Sequence, residues 1–217
     1  DEEYRVLEKI KNSIPVCYLA DHADFALGIV TGNNKKFLSA EKTEHSEMVL
    51  KGTDICKYHI NPAKQYLRFE PEQFQQVAPL EIYRAPEKLL YRFISNQLVV
   101  AYDDRQMLSL NSCNIVIPKI EGMQIKYILA ILNSSVSQFV YQKEFHSIKV
   151  LRAHMEHIPI PRVGKAIQNE IIAMTEPLIC GMGKEAAETC QKRLDCRIMD
   201  LFRLSAEEQW IIRHALH

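Results

Sequence analysis

The apolar residues of this chain change period twice. Residues 4 to 14 place Leu7, Ile10 and Ile14 on one helical stripe. From about 16 to 120, short apolar or alternating runs are separated by Gly, Pro, Asn and Asp. That pattern predicts strands near 25–30, 47–51, 66–69, 88–94, 98–102 and 113–117. Helical spacing returns from 123 to 145, where Ile125, Ile128, Leu129 and Leu132 form one stripe and Asn133-Ser134-Ser135 breaks it. Ser135-x-x-Gln138 reads as a capping box for a second helix carrying Phe139, Val140 and Tyr141. His157-Ile-Pro-Ile-Pro161 is extended, because two prolines fix it so.

After Arg162 the pattern is helical to the end. Ile167, Ile171, Met174 and Leu178 make one face, with a kink expected at Pro177. Ala187, Cys190, Leu194, Ile198, Leu201 and Phe202 make a second face, and Ser205-Ala-Glu-Glu208 is a capping box for a last helix. The expected fold class is α+β: a strand-rich mixed-sheet body over 16–162, a short N-terminal helix over 1–15 and a helical tail over 163–217.

Composition narrows the class. The 217 residues, 47% hydrophobic and 25% charged, suit a soluble globular chain with a sizeable core. A formal net charge of zero gives no global basic signal for nucleic acid, although a local patch fits inside a neutral total. No apolar run approaches the roughly 18 residues of a membrane span, so no membrane partner is expected. The start, Asp1-Glu2-Glu3-Tyr4, reads as a fragment cut from a longer chain. Six cysteines without a C-x-x-C pair suit reduced thiols and a cytoplasmic location. His154-x-x-His157 lacks the partners of a zinc site, so no metal is expected.

A search for chemistry finds no complete set. There is no Walker motif and no G-x-S-x-G elbow, and Gly181-Met-Gly183 follows a helix rather than a strand. Asn61-Pro62 is followed by Ala-Lys, so the Asn-Pro-Pro-aromatic loop of amino-methyltransferases is missing. Asp54-x-x-Lys57 and Asp103-Asp104 do not complete a nuclease site, and Asp103-Asp104 reads as a solvated turn. No catalytic residue is assigned.

What remains is recognition. In "GIVTGNNKKFL", residues 28–38, Gly32 permits positive φ and lets the turn expose backbone donors. Thr31, Asn33 and Asn34 offer hydrogen bonds to phosphates or adenine edges, and Lys35 and Lys36 add charge. A second basic stretch, Arg84, Lys88 and Arg92, is interleaved with tyrosines. Lys88 and Arg92 share one face and are expected to emerge together, with Glu87 as a competing ion-pair partner. Solvated charges on an ordinary sheet are the alternative reading.

These stretches resemble the TaqI-like C-terminal specificity domain, the target recognition domain of adenine-specific restriction-modification methyltransferases. The resemblance runs in order through "LGIVTGNNKKFL" at 27–38, "LKGTDICKY" at 50–58, "PEKLLYRFISNQLVVAYDD" at 86–104, "SCNIVIP" at 112–118, "IKYILAILNSSVSQFVYQKEF" at 125–145 and "HIPIP" at 157–161. The tail at 194–212 is similar to the last helix of such enzymes, departing where the usual Tyr-Gly is Phe202-Arg203. The resemblance implies a module that reads double-stranded DNA and helps present a flipped adenine. It also implies an N-terminal methyltransferase domain in the same parent chain. No cofactor is expected in this chain; S-adenosylmethionine belongs to that missing catalytic domain. The parent could also carry an endonuclease, as fused type IIG enzymes do. A protein-interaction scaffold and, behind it, a nuclease domain are the competing function classes.

Overall fold

A computed structural model describes residues 2–216. The chain opens with α1 (Glu2–Asn12), β1 (Val16–Cys17), β2 (Ala23–Ala26), α2 (Asn34–Phe37) and β3 (Leu38–Ser39). Next come β4 (Ser46–Leu50), a 3₁₀ turn over Gly52–Asp54, β5 (Gln65–Arg68) and α3 (Leu80–Tyr83). The centre holds β6 (Lys88–Arg92), β7 (Val100–Asp103), β8 (Leu108–Ser109) and β9 (Cys113–Pro118). Then follow α4 (Ile125–Leu132), α5 (Ser135–Phe145), α6 (Arg152–Glu156) and β10 (Ile160–Pro161). Three helices, α7 (Lys165–Cys180), α8 (Lys184–Leu201) and α9 (Ala206–Ala215), end the chain.

The fold is α+β. The central sheet has the antiparallel order β2-β9-β6-β7. A second sheet, β3-β5-β4-β8, is mixed because β4 and β8 run parallel. A two-stranded ribbon joins β1 to β10, so only the Ile160-Pro161 end of the expected extended segment pairs as a strand, with Val16–Cys17 after α1, while His157 is the C-cap of α6. Prolines are tolerated there because the ribbon has only edges.

The central sheet is covered on both faces, which explains why its strands read as apolar runs rather than clean alternation. Leu89, Tyr91, Val100 and Val116 belong to a core shared with α1, α4, α5 and the three last helices. Leu90, Ala101, Cys113 and Ile115 belong to a second core shared with Val49, Leu50 and Leu67 of the other sheet. Asn133 fixes α4 to the sheet: its Oδ1 accepts from Val100 N at 3.0 Å and its Nδ2 donates to Val100 O at 2.9 Å.

Two local expectations need correction. The cap of α5 is Ser134, whose Oγ accepts from Ser137 N, and not Ser135. Gln138 does not reach back to the cap; its Oε1 accepts from Leu98 N, because the buried strand end needs an acceptor. The Ser205 capping box of α9 forms as expected, and Lys9 on α1 pairs with its Glu208 at 2.6 Å. The helix α7 runs through Pro177 as one element.

His154 also has a structural part. Its Nδ1 accepts from Leu151 N at 3.2 Å, and its ring stacks on Phe145 with centroids 4.5 Å apart. Burial holds its pKa below the usual histidine value, partly opposed by a backbone carbonyl at Lys149. The native state therefore binds this proton less readily than the unfolded chain, and the stabilisation it gives is complete above about pH 6.5 and is lost as pH falls through the folded value. The urea midpoint of the wild type is expected to drop between pH 7.5 and 5.5 by more than that of His154→Asn, which keeps an acceptor but does not titrate. Equal drops would show that His154 does not set this dependence.

Candidate functional site

Three segments meet at one end of the two sheets. The turn Leu110–Ser112 is their common support. Leu110 N donates to Leu50 O, Asn111 N to Ile29 O, and Ser112 O accepts from Phe93 N. Ser112 Oγ also accepts from Gly52 N at 2.9 Å. The backbone passes so close that Gly28 and Gly52 leave no room for a side chain: a Cβ on Gly28 would lie 2.0 Å from Leu110 O, and one on Gly52 2.6 Å from Ser112 O. Both glycines occur in the quoted motifs, and the approach of this turn explains both.

The result is a concave polar surface made of two adjoining hollows of about 550 and 330 Å³. Lys51 and Ser112 border both. Asn34, Lys35, Gln65 and Asn111 border the first, and Thr53, Arg92 and Ile94 the second. No carboxylate lines either hollow among the described residues, while Lys35, Lys51 and Arg92 bring positive charge. Lys35 and Lys51 have no ion-pair partner among the described residues. Such a surface attracts an anion and offers amide and hydroxyl ends for hydrogen bonds.

The TaqI-like C-terminal specificity domain matches residues 47–160, more than half of the chain. The chain belongs to this family. Its fold is similar to that of the Type IIL restriction-modification enzyme MmeI, solved in complex with DNA, at TM-score 0.60 and 11% identity. That match covers 88% of this chain and 34% of the MmeI chain, so the specificity domain here spans about a third of that protein. The type IIG restriction endonuclease BpuSI matches at TM-score 0.49 and 9% identity, over 93% of this chain and 33% of its own. The HsdS subunit from Thermoanaerobacter tengcongensis matches at TM-score 0.45 and 14% identity, over 99% and 50%. No curated protein sequence matches this specificity domain.

Within the specificity domain, the residues singled out from sequence divide sharply. Gly32 has φ of +75°, as the turn requires. Thr31 is buried; its hydroxyl donates to Asn34 Oδ1 and accepts from Asn33 N, so it builds the turn rather than the surface. Asn33 is exposed and caps α2 through Lys36 N. Lys36 is tied to Gln73 Oε1 and lies over the Phe37 ring at 4.8 Å. Asn34 and Lys35 face the groove.

The second basic stretch is different from the expectation. Lys88 and Arg92 do share a face, but it is the face of β6 that packs on the other sheet. Lys88 is therefore wholly buried, not emergent. It sits opposite Asp103 in the register, pairs with it, and donates to Tyr83 O at 2.7 Å. Burial pulls its ammonium below the usual lysine value and the Asp103 carboxylate opposes this. Asp103 is accordingly no solvated turn. Arg92, at the strand end, donates from Nε to Gly52 O at 3.0 Å and from Nη2 to Ile55 O, and still borders the groove. Arg84 is held by Gln106 O at 2.7 Å and Glu47 at 2.6 Å, so its fork is already engaged. Glu87 bonds instead to the Tyr102 hydroxyl.

Sequence reasoning missed Lys51, Gln65, Asn111 and Ser112. The glycine motif "LKGTD" could have pointed to Lys51, since its neighbour needs a close backbone approach. Nothing local marks Asn111 and Ser112. Asp54, considered for a nuclease site, is buried and accepts from Lys51 N at 2.9 Å. No group of three His, Cys, Asp or Glu converges as for a metal among the described residues. No helix among them is long and apolar enough to cross a membrane.

Proposed function

We propose that this chain reads double-stranded DNA sequence as the target recognition domain of an adenine-specific restriction-modification methyltransferase. The observation that carries the reading is the carboxylate-free groove around Leu110–Ser112. Lys35, Lys51 and Arg92 are spaced along it for phosphates, while Asn34, Gln65 and Asn111 present amides suited to adenine edges. Membership of the specificity-domain family supports the same reading, as does a fold shared with an enzyme solved in complex with DNA. In this reading residues 16–162 form the reader, 1–15 connect it to an N-terminal methyltransferase domain, and 163–217 form the helical tail. S-adenosylmethionine and the catalytic loop belong to the methyltransferase domain, an endonuclease could be fused to it, and the enzyme works in the cytoplasm.

The test is the salt dependence of duplex binding. Each phosphate contact contributes roughly one unit to the slope of log affinity against log salt. Lys35→Ala and Lys51→Ala are each expected to flatten that slope by about one unit and to weaken specific and random duplexes equally. Lys36→Ala, whose ammonium is already bonded to Gln73, is expected to do less. An unchanged slope in both groove variants would leave these lysines as solvated charges and return the chain to a protein-interaction role.

A further inference from the structure

A separate hollow opens on the other face of the central sheet. Along β6 and its extension the side chains alternate: Arg92 and Ile94 border the groove, while Tyr91 and Phe93 border this hollow. The sheet stands between the two, so the hollow is a site of its own. It measures about 260 Å³. Phe25 and Phe93 supply aromatic walls, and Leu27 and Leu151 form an exposed apolar rim.

Its floor holds two buried donors without a partner. Asn114, paired with Tyr91 across β9 and β6, is 2% exposed. Its Oδ1 accepts from Gly28 N at 3.0 Å, which fixes the amide orientation and leaves Nδ2 a donor with no partner among the described residues. Tyr91 is 3% exposed, and its hydroxyl has no partner among them either. Burial pushes that phenol above the usual tyrosine value, so it stays protonated and donates. Among the described residues, the side-chain atom both unpartnered and sealed from solvent is Ser109 Oγ. The Asn114 and Tyr91 atoms are therefore reachable, and the space beside them is the hollow. Arg152 stands at the mouth with its guanidinium 5.0 Å from the Phe25 centroid. Glu156 takes its Nε at 2.7 Å, which leaves both Nη groups without a partner among the described residues. Buried polar groups are normally paired, so two unpaired donors at the bottom of an aromatic-walled hollow mark a ligand site.

We propose that this hollow binds a carboxylate carried on a short apolar stem. The open side-chain groups are all donors: an amide N–H, a phenol O–H and the Nη fork of an arginine. No carboxylate lines the hollow among the described residues. A carboxylate only accepts, and its two oxygens match the Arg152 fork. A carboxamide would bring two more N–H donors into a set of donors. A phosphate dianion asks for more positive charge than one arginine already paired with Glu156 supplies. The aromatic walls and the leucine rim bury the stem. The site stands apart from DNA reading, since it shares no lining residue with the groove and needs no duplex.

The experiment uses the whole chain labelled with ¹⁵N and three probes: benzoate, butyrate and the capped peptide acetyl-Ala-Ala-Glu-Ala-Ala-amide. Benzamide, butyramide and the same peptide with Gln for Glu are the uncharged counterparts. At least one carboxylate is expected to shift the Asn114 side-chain amide and the Gly28 amide saturably, with a Kd at least about tenfold below that of its counterpart. Arg152→Ala removes an exposed side chain and is expected to abolish this preference with the melting temperature unchanged. Two sources share the chemistry, and the order of affinities names the source. A peptide tighter than both free acids assigns the site to an acidic side chain of a partner polypeptide; the reverse order assigns it to a small-molecule acid. Either order supports the site. No shift with any carboxylate overturns it, as do equal affinities for carboxylate and amide in the wild type, or an unchanged preference in Arg152→Ala. Duplex binding is the last check. The salt slope of Arg152→Ala is expected to equal that of the wild type; a slope flattened by about one unit would make Arg152 a phosphate contact and overturn the assignment.

Discussion

Lys88→Met is expected to destabilise the protein by about 3–5 kcal/mol, the range for removing one partner of a buried ion pair. For a chain of this size that corresponds to a melting temperature lower by on the order of 10 °C. Lys88 and Asp103 are both fully buried, and their Cα atoms are direct partners across β6 and β7. Without the ammonium, the carboxylate keeps only the Arg105 and Met107 amides, at 2.9 and 3.0 Å. Tyr83 O would also lose its donor. Asp103→Leu is expected to cost a similar amount, because it strands the ammonium and both amides. The double variant Lys88→Met, Asp103→Leu is expected to lose clearly less than the two single losses together, since neither charge is then left alone. Strict additivity in urea denaturation would show that the pair is not coupled. Duplex affinity of whatever Lys88→Met remains folded is expected to be unchanged, because the side chain does not reach the groove.

That lysine shows where the sequence could be read and where it could not. The spacing of Lys88 and Arg92 does put them on one face. A strand covered on both sides, however, carries apolar neighbours in either direction, so the local pattern "KLLYR" does not say which face meets water. Only the position of the second sheet decides it, and that depends on pairings such as Val49 with Leu108, far apart in sequence. By contrast, elements whose signals are local were legible: strands β4, β5, β6, β7 and β9, helix α4, and the Ser205 cap all lie within a few residues of their expected places. β3 and β8 have two residues each and too little pattern to be seen.

The groove was half legible for the same reason. The turn "TGNNKK" announces itself through Gly32 and its cluster of donors. Of its members, Asn34 and Lys35 face the groove, while Thr31 and Asn33 hold the turn. Lys51, Asn111 and Ser112 join the site because three separate loops converge on one backbone turn. Single polar residues in turns carry no pattern that would single them out. What the sequence did contain was the two glycines, whose need for space is the trace of that convergence.

Those glycines allow the second large effect to be predicted by rank. In Gly28→Ala the new Cβ would meet Leu110 O at 2.0 Å, Leu110 C at 2.2 Å and Asn111 N at 2.8 Å. All three are backbone atoms, so no rotamer change relieves the overlap. The segment must part from the turn, which breaks the Asn111 N to Ile29 O and Gly28 N to Asn114 Oδ1 bonds. Overpacking costs about 1–3 kcal/mol when side chains can yield, and a loss of about 3 kcal/mol or more is expected here. In Gly52→Ala the contacts are 2.6 Å to Ser112 O and 3.3 Å to Arg92 Cγ, and the second is flexible. A cost of about 1–3 kcal/mol is expected, with the fold retained. Gly164→Ala meets nothing within 4 Å and serves as the control; as the N-cap of α7 it is expected to lose under about 1 kcal/mol, because alanine caps less well than glycine while its ordinary φ and ψ cause no strain. Denaturation midpoints in the order Gly28→Ala below Gly52→Ala below Gly164→Ala are the expected result; a Gly28→Ala protein as stable as the control would remove the close approach as the reason for that glycine. Gly52→Ala then bears on function. It pushes the Ser112 turn away from Lys51 and Arg92 without removing any charge, so duplex affinity is expected to fall while the salt slope changes little. A slope that flattens as much as in Lys51→Ala would mean that the turn only carries charge, and that its shape reads nothing.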